Sequence, residues 1–241
     1  MKKEQCKPDF IKDINAALLD ELTKDGRVKN AVGLVGEITE LEEVKDICGL
    51  PFTGYLGKIK TDRKNGIADE VVIAIEESTI TKPYSGIDFE IFEKCSIGKM
   101  LLIAGKMQTL KDFASGKVLV FVLADYMALS PKAVQQDDIA LVGELAYTPK
   151  YRETPRGKRI TDIFVKAQNV LTAGTCHIPC ICWQEQADEV ANWQQGDKVK
   201  LLGRYQSREY SKLVDIDNEE SRETRTAYEV SVSHIERIGE V

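Results

Sequence analysis

From Cys176 to Trp183 the chain alternates, with Cys176, Ile178, Cys180 and Cys182 on one set of positions and His177, Pro179, Ile181 and Trp183 on the other. Successive side chains of a strand point to opposite faces. The pattern therefore predicts a strand with one small apolar face, suited to a barrel interior, and one face carrying a ring, a proline and an indole. The preceding segment repeats the arrangement: Ile163, Val165 and Ala167 share a face, opposite Phe164, Lys166 and Gln168. A face that mixes aromatics with a lysine suits stacked bases and their phosphates. After Trp183 the period changes, and Ala187, Val190 and Ala191 form the stripe of a short connecting helix, with Trp193 near its end read as core. Near the start, Ile11, Ile14, Leu18 and Leu22 recur at helical spacing between Pro8 and Gly26, which predicts a helix over Asp9 to Asp25. It either packs on the barrel that follows or serves docking or dimerisation.

Three stretches recur in the same order, the signature of an internal repeat. VGLVGEI from Val32 parallels IALVGEL from Ile139, GKMLLIAGKMQ from Gly98 parallels GDKVKLLGRYQ from Gly196, and VFVLADYMAL from Val120 parallels EVSVSHIERI from Glu229. Between the first two lie FTGYLGKIKTDR and DEVVIAIEE, which read as strands joined by the turn signal Asn65-Gly66. The expected organisation is an N-terminal helical segment (1–29), a first, diverged barrel (30–130), a polar linker (131–137) and a second barrel (138–241). The fold class is mainly all-β, two tandem five-stranded barrels. The first copy has no tryptophan, a cluster of Glu37, Glu40, Glu42 and Glu43, and a poorly periodic KPYSGIDFEIFEKCSI where the second has its helix. It is expected to bind more weakly or to serve assembly.

The segment from Gly143 to Asn169 pairs a G-x-L strand with a T-P-x-G-K turn, and Gly196, Val199, Gly203, Arg204 and Arg208 follow the spacing G-x-x-V-x-x-x-G-R-x-x-x-R. In these motifs the last hundred or so residues resemble the bacterial single-stranded DNA-binding protein family. The resemblance implies an OB-fold barrel that stacks bases on aromatics of its middle strands. Trp183 and Tyr210 stand where members carry stacking aromatics, and His177 where many carry a tryptophan. Tandem-barrel members assemble four barrels as a homodimer, so a homodimer is implied. Housekeeping members continue into a tail with an acidic, apolar tip; this sequence stops at IERIGEV, so the resemblance is to the barrel.

The net charge of −6 over 241 residues weighs against nucleic-acid binding, which usually leaves a basic footprint. Local charge differs. Lys150, Arg152, Arg156, Lys158 and Arg159 crowd a window with one acid, Glu153, interleaved with Tyr147 and Tyr151, while Asp215, Asp217, Glu219, Glu220 and Glu223 fill a separate loop. Tyr205 and Tyr210 flank Arg208 after the fourth strand of the second copy. The loops after strands one and four are the usual binding loops of an OB-fold. The candidate nucleic-acid-binding set is therefore Tyr147, Tyr151, Arg152, Arg156, Lys158, Arg159, Phe164, Lys166, His177, Trp183, Arg204, Tyr205, Arg208 and Tyr210.

Cys176, His177, Cys180 and Cys182 lie along one strand with no second ligand pair, unlike a zinc site. No metal, cofactor or catalytic constellation is expected. No apolar run approaches the ~20 residues of a membrane helix, and MKKEQCKPDFIKDIN lacks a secretory core. Unpatterned cysteines fit a reducing cytoplasm; the resemblance implies a bacterial one, in association with the nucleoid. The expected function is non-catalytic binding of single-stranded DNA in replication, recombination or repair, with RNA left open and replication proteins as further partners. The alternatives are a primosome-type OB protein of replication restart and an OB scaffold for protein partners.

Overall fold

The computed structural model describes residues 21, 23, 28–63, 65–81, 97–130, 135–154, 157–213 and 222–239. The expected helix over Asp9 to Asp25, apart from Glu21 and Thr23, and the poorly periodic stretch after Lys82 up to Ser96 lie outside them. So do most of the acidic loop and Arg156. The described strands are β1 Asn30–Ile47, β2 Leu50–Asp62, β3 Ala68–Glu76, β4 Met100–Lys111, β5 Val118–Leu129, β6 Gln136–Glu144, β7 Lys150–Glu153, β8 Arg159–Gln168, β9 Thr175–Trp183, β10 Lys198–Leu213 and β11 Arg222–Arg237. Two short helices, α1 Glu77–Ile80 and α2 Glu185–Val190, complete the described elements.

β1 pairs antiparallel with β2, β2 with β3, and β4 with β5 and β1, while β3 meets β5 in parallel. These pairings run in a closed circuit, β1-β2-β3-β5-β4-β1. Long strands close this way by bending, and Gly36 marks one bend: a Cβ there would sit 2.3 Å from the Lys60 carbonyl oxygen. β6, β10, β11, β9 and β8 follow the same order, again with one parallel contact, Val230–Cys180 and Ser231–Ile181. Gly143 occupies the place of Gly36 in the repeated VGE motif. A Cβ on it would lie 2.4 Å from the Lys166 carbonyl oxygen, and just beyond it Leu145 bridges Val165.

The interior follows strand parity. Cys176, Ile178, Cys180 and Cys182 are buried with Ile163, Val165, Val199 and Leu201, and α2 contributes Ala187 and Val190. Trp193 is buried in the same cluster. In the N-terminal half, Val71, Ile73 and Ile75 fill the interior. Val72 and Ala74, on the opposite face of β3, are buried too, beneath Ile47, Phe52, Phe121 and Leu123. A strand covered on both faces reads as an unbroken apolar run, which is why VVIAI does not alternate.

The two halves share one sheet. Residues 30–35 of β1 pair with 136–141 of β6, so β1 is flanked by β4 and β6 at once. This corrects the expected linker, because Gln136 and Asp137 belong to β6. Asp137 is driven into the junction, where its Oδ1 accepts the Tyr205 amide at 2.7 Å and, among the described residues, its Oδ2 has no hydrogen-bond partner. Burial pushes its carboxyl up to about 8, against the pull of the Tyr205 amide and the Arg204 charge. Beside it, Asp69 of β3 accepts from Arg63 at 2.6 and 2.5 Å, from Arg204 at 2.6 Å and from the Ser207 amide at 2.9 Å. Burial alone would raise the Asp69 carboxyl; the two guanidiniums and the Ser207 amide outweigh it and hold it below its ordinary value.

Candidate nucleic-acid interface

The outward positions of β8 and β9 bring three rings together. Phe164 pairs with Pro179 and Lys166 with His177, and Tyr147, from the segment after β6, leans over both strands. Its ring meets Phe164 edge-on at 5.6 Å and His177 edge-on at 5.2 Å. Its hydroxyl lies 2.9 Å from His177 Nδ1, which fixes the ring without covering its faces. Tyr147 is 50% and Phe164 37% exposed. Exposed aromatic faces held in place are what base stacking requires, because every base presents a π-face of its own.

These rings form one wall of a groove of about 1380 Å³. Its other walls come from the N-terminal half, including Ile47, Leu50, Lys111, Phe113 and Lys117, with Thr226 and Tyr228 of β11 alongside. The sequence reading missed the N-terminal contribution. Its available signal was DFASG, a turn sequence carrying an aromatic between two strands.

The cations of the candidate set are mostly held by carboxylates. Arg152 donates to Asp162 at 2.6 and 3.1 Å, Lys166 to Glu144 at 3.2 Å and Arg208 to Glu229 at 3.0 Å. Arg159 pairs with Asp188. Lys150 and Lys158 are exposed on the β7–β8 hairpin. The Arg152, Lys166 and Arg159 pairs are partly exposed on both sides and worth roughly 0–1 kcal/mol, so a phosphate can replace those carboxylates at small cost, whereas Glu229 is buried and holds Arg208 more firmly.

Two candidates are committed to the interior or the junction. Tyr205 is fully buried, its hydroxyl donating to the Val120 carbonyl of β5 at 2.7 Å. It shares the inward face of β10 with Val199 and Leu201 and cannot reach a base. Arg204 is committed to the junction, donating to Asp69 and to Gln206 at 2.8 Å. Trp183, Tyr151 and Tyr210 lie outside the groove. Trp183 is half-buried, and its Nε1 donates to Ser231 Oγ at 3.1 Å. Tyr151 is exposed on β7. Tyr210 is exposed near the end of β10, with the Arg208 guanidinium 5.9 Å from its ring centre.

Among the described residues, no group of three histidines, cysteines or acids is placed to hold a metal. No described helix is long and apolar enough to cross a membrane.

A closed five-stranded barrel with this strand order, elaborated by extra strands, is an OB-type fold. Residues 137–238 match the model of the Single-strand binding protein family. Among solved structures, the wild-type single-stranded DNA binding protein from Thermus aquaticus superposes with a TM-score of 0.63 at 16% identity, covering 88% of this chain and 94% of that one. A deletion mutant of the same Thermus aquaticus protein gives 0.61 at 18% identity, covering 88% and 95%. At such identities the likeness is one of fold. No curated protein sequence matches the chain.

Proposed function

We propose that the protein binds single-stranded DNA without catalysis, as two OB-fold units in tandem (30–130 and 138–241). The observation that carries the reading is the Tyr147–Phe164–His177 cluster, with Tyr147 in T-shaped contact with both other rings on an exposed sheet face at the wall of a groove. The family match over residues 137–238 supports it. Bases stack on these rings while Lys150, Lys158 and the exchangeable arginines of the β7–β8 hairpin neutralise phosphates. Assembly as a homodimer in a bacterial cytoplasm, at work in replication, recombination or repair, belongs to the same reading.

The test is titration of fluorescently labelled oligothymidylate at several salt concentrations. The expected result is binding whose logarithm falls linearly with the logarithm of salt, by about 0.7 per phosphate neutralised. Tyr147→Ala should weaken it by about 1–3 kcal/mol, the usual value of one stacked base. The second reading, an OB scaffold for protein partners, is favoured by the carboxylate-paired arginines and the net charge of −6. It predicts no binding even at low salt.

A further inference from the structure

Phe113 is the most exposed of the large apolar side chains described, at 84%. It stands at the tip of the β4–β5 hairpin of the N-terminal half. The hairpin is ordered from within. The Asp112 amide donates to the Lys117 carbonyl at 2.8 Å and the Gly116 amide to the Asp112 carbonyl at 2.8 Å. Gly116 takes the positive φ of 70° that the turn needs, and the Asp112 carboxylate accepts the Ala114 amide at 2.9 Å and the Ser115 hydroxyl. The Lys111 ammonium sits 5.9 Å from the Phe113 ring centre, and Lys117 closes the turn. An aromatic ring flanked by two lysines is thus presented to solvent by a preformed hairpin.

The hairpin faces the same groove as Tyr147, Phe164 and His177, and the halves are joined beneath it. Gln108 donates to the Gln168 carbonyl at 3.1 Å and accepts the Val170 amide at 3.0 Å, and Asn169 donates to the Thr109 carbonyl at 3.1 Å. These bonds tie β4, one strand of the hairpin, to the β8–β9 connection, so the spacing between Phe113 and the ring cluster is set by the fold. The acids on this wall are Asp46 and Asp112. Asp112 is turned inward to its own loop, and Asp46 accepts the Gly49 amide at 3.2 Å.

We propose that Phe113, with Lys111 and Lys117, is a second stacking station, and that one nucleic-acid strand crosses the junction from the Tyr147–Phe164–His177 cluster to this hairpin. The proposal rests on the binding function above and extends it. The N-terminal half then takes part in binding through this hairpin.

The experiment compares oligothymidylates of increasing length, starting near the ~4–16 nucleotides that one OB fold covers. Wild-type affinity is expected to rise as the strand becomes long enough to reach both stations. Phe113→Ala should cut that rise by about tenfold or more, as loss of one stacked base does. Lys111→Gln, which keeps the ring, should lower the salt slope for long strands. Phe113 is 84% exposed in a turn, and circular dichroism checks that the fold is kept. If the affinity of Phe113→Ala rises with length as the wild type does, the second station is overturned while the binding function stands. If Phe113→Ala loses as much with the shortest strand as with the longest, the two-station path is likewise wrong. If the wild type binds no length, both fall together.

Discussion

Asp69 is the point where the halves can be uncoupled by a single atom exchange. Asp69→Asn keeps the shape and the acceptor for the Ser207 amide but removes the charge that faces Arg63 and Arg204. The carboxylate is fully buried, and its partners keep 23% and 32% side-chain exposure. Removing one partner of a fully buried ion pair costs about 3–5 kcal/mol. Water reaches both guanidiniums here, which places the loss near the lower end, about 3 kcal/mol. For a chain of this size each kcal/mol moves the midpoint by roughly 2–4 °C, so the melting temperature at neutral pH should fall by about 6–12 °C. The pH dependence checks the cause. A carboxyl held below its ordinary value stabilises above the ordinary aspartate range, and that contribution is lost as pH falls through the folded value. The gap between wild type and Asp69→Asn, measured by thermal circular dichroism, should therefore narrow as pH falls below the ordinary aspartate range. A neutral-pH difference within about 2 °C, or one that does not narrow with acid, would refute the argument that charge pairing at Asp69 locks the junction.

Asp137 works in the opposite sense. Its folded carboxyl keeps a proton to about pH 8 that the unfolded chain gives up near pH ~3.9. Stability should fall across that window by up to about 1.4 kcal/mol per pH unit and level off above it; denaturant titration of Asp137→Asn should give a flatter profile, and an unchanged one would remove Asp137 as the cause. Cys180 and Cys182 are buried, and burial pushes the Cys182 thiol up to about 12. Mass spectrometry after a thiol reagent should find both nearly unlabelled in the native protein and fully labelled in denaturant; rapid native labelling would contradict the burial. Trp193→Ala should cost about 3–5 kcal/mol of stability yet leave oligothymidylate affinity per folded molecule unchanged, and a matching loss of affinity would place that indole in the interface.

Period-two alternation made β8 and β9 legible, because one face of each is dry, while the other opens to solvent away from the buried Ile160 and Ile181. The repeat of VGLVGEI in IALVGEL was legible because both copies need a glycine at the same close crossing of strands. Tyr205 and Arg204 were harder. A residue on β10 can face the interior, the solvent or the other half, and alternation separates only two of these. Asp137 looked like linker because acids normally signal solvent, whereas here it enters the sheet and keeps its proton. The VVIAI run did carry a usable signal: an unbroken apolar strand is covered on both sides, which leaves no room there for bases. Phe113 was overlooked because a lone aromatic in a turn has no periodicity; only its neighbours across the groove give it meaning.

The shared β1–β6 ladder also bears on how the chain is made. During synthesis from the N-terminus, β1 can join β2 and β4 long before β6 emerges. Until then residues 30–35 present an open row of amides and carbonyls, and Asp69 lacks Arg204. An unpaired strand edge is a template for pairing with another chain. The nascent N-terminal half is thus most exposed to misassembly in the interval before residues 136–141 arrive, and a chain cut after β5 would keep that sticky edge permanently.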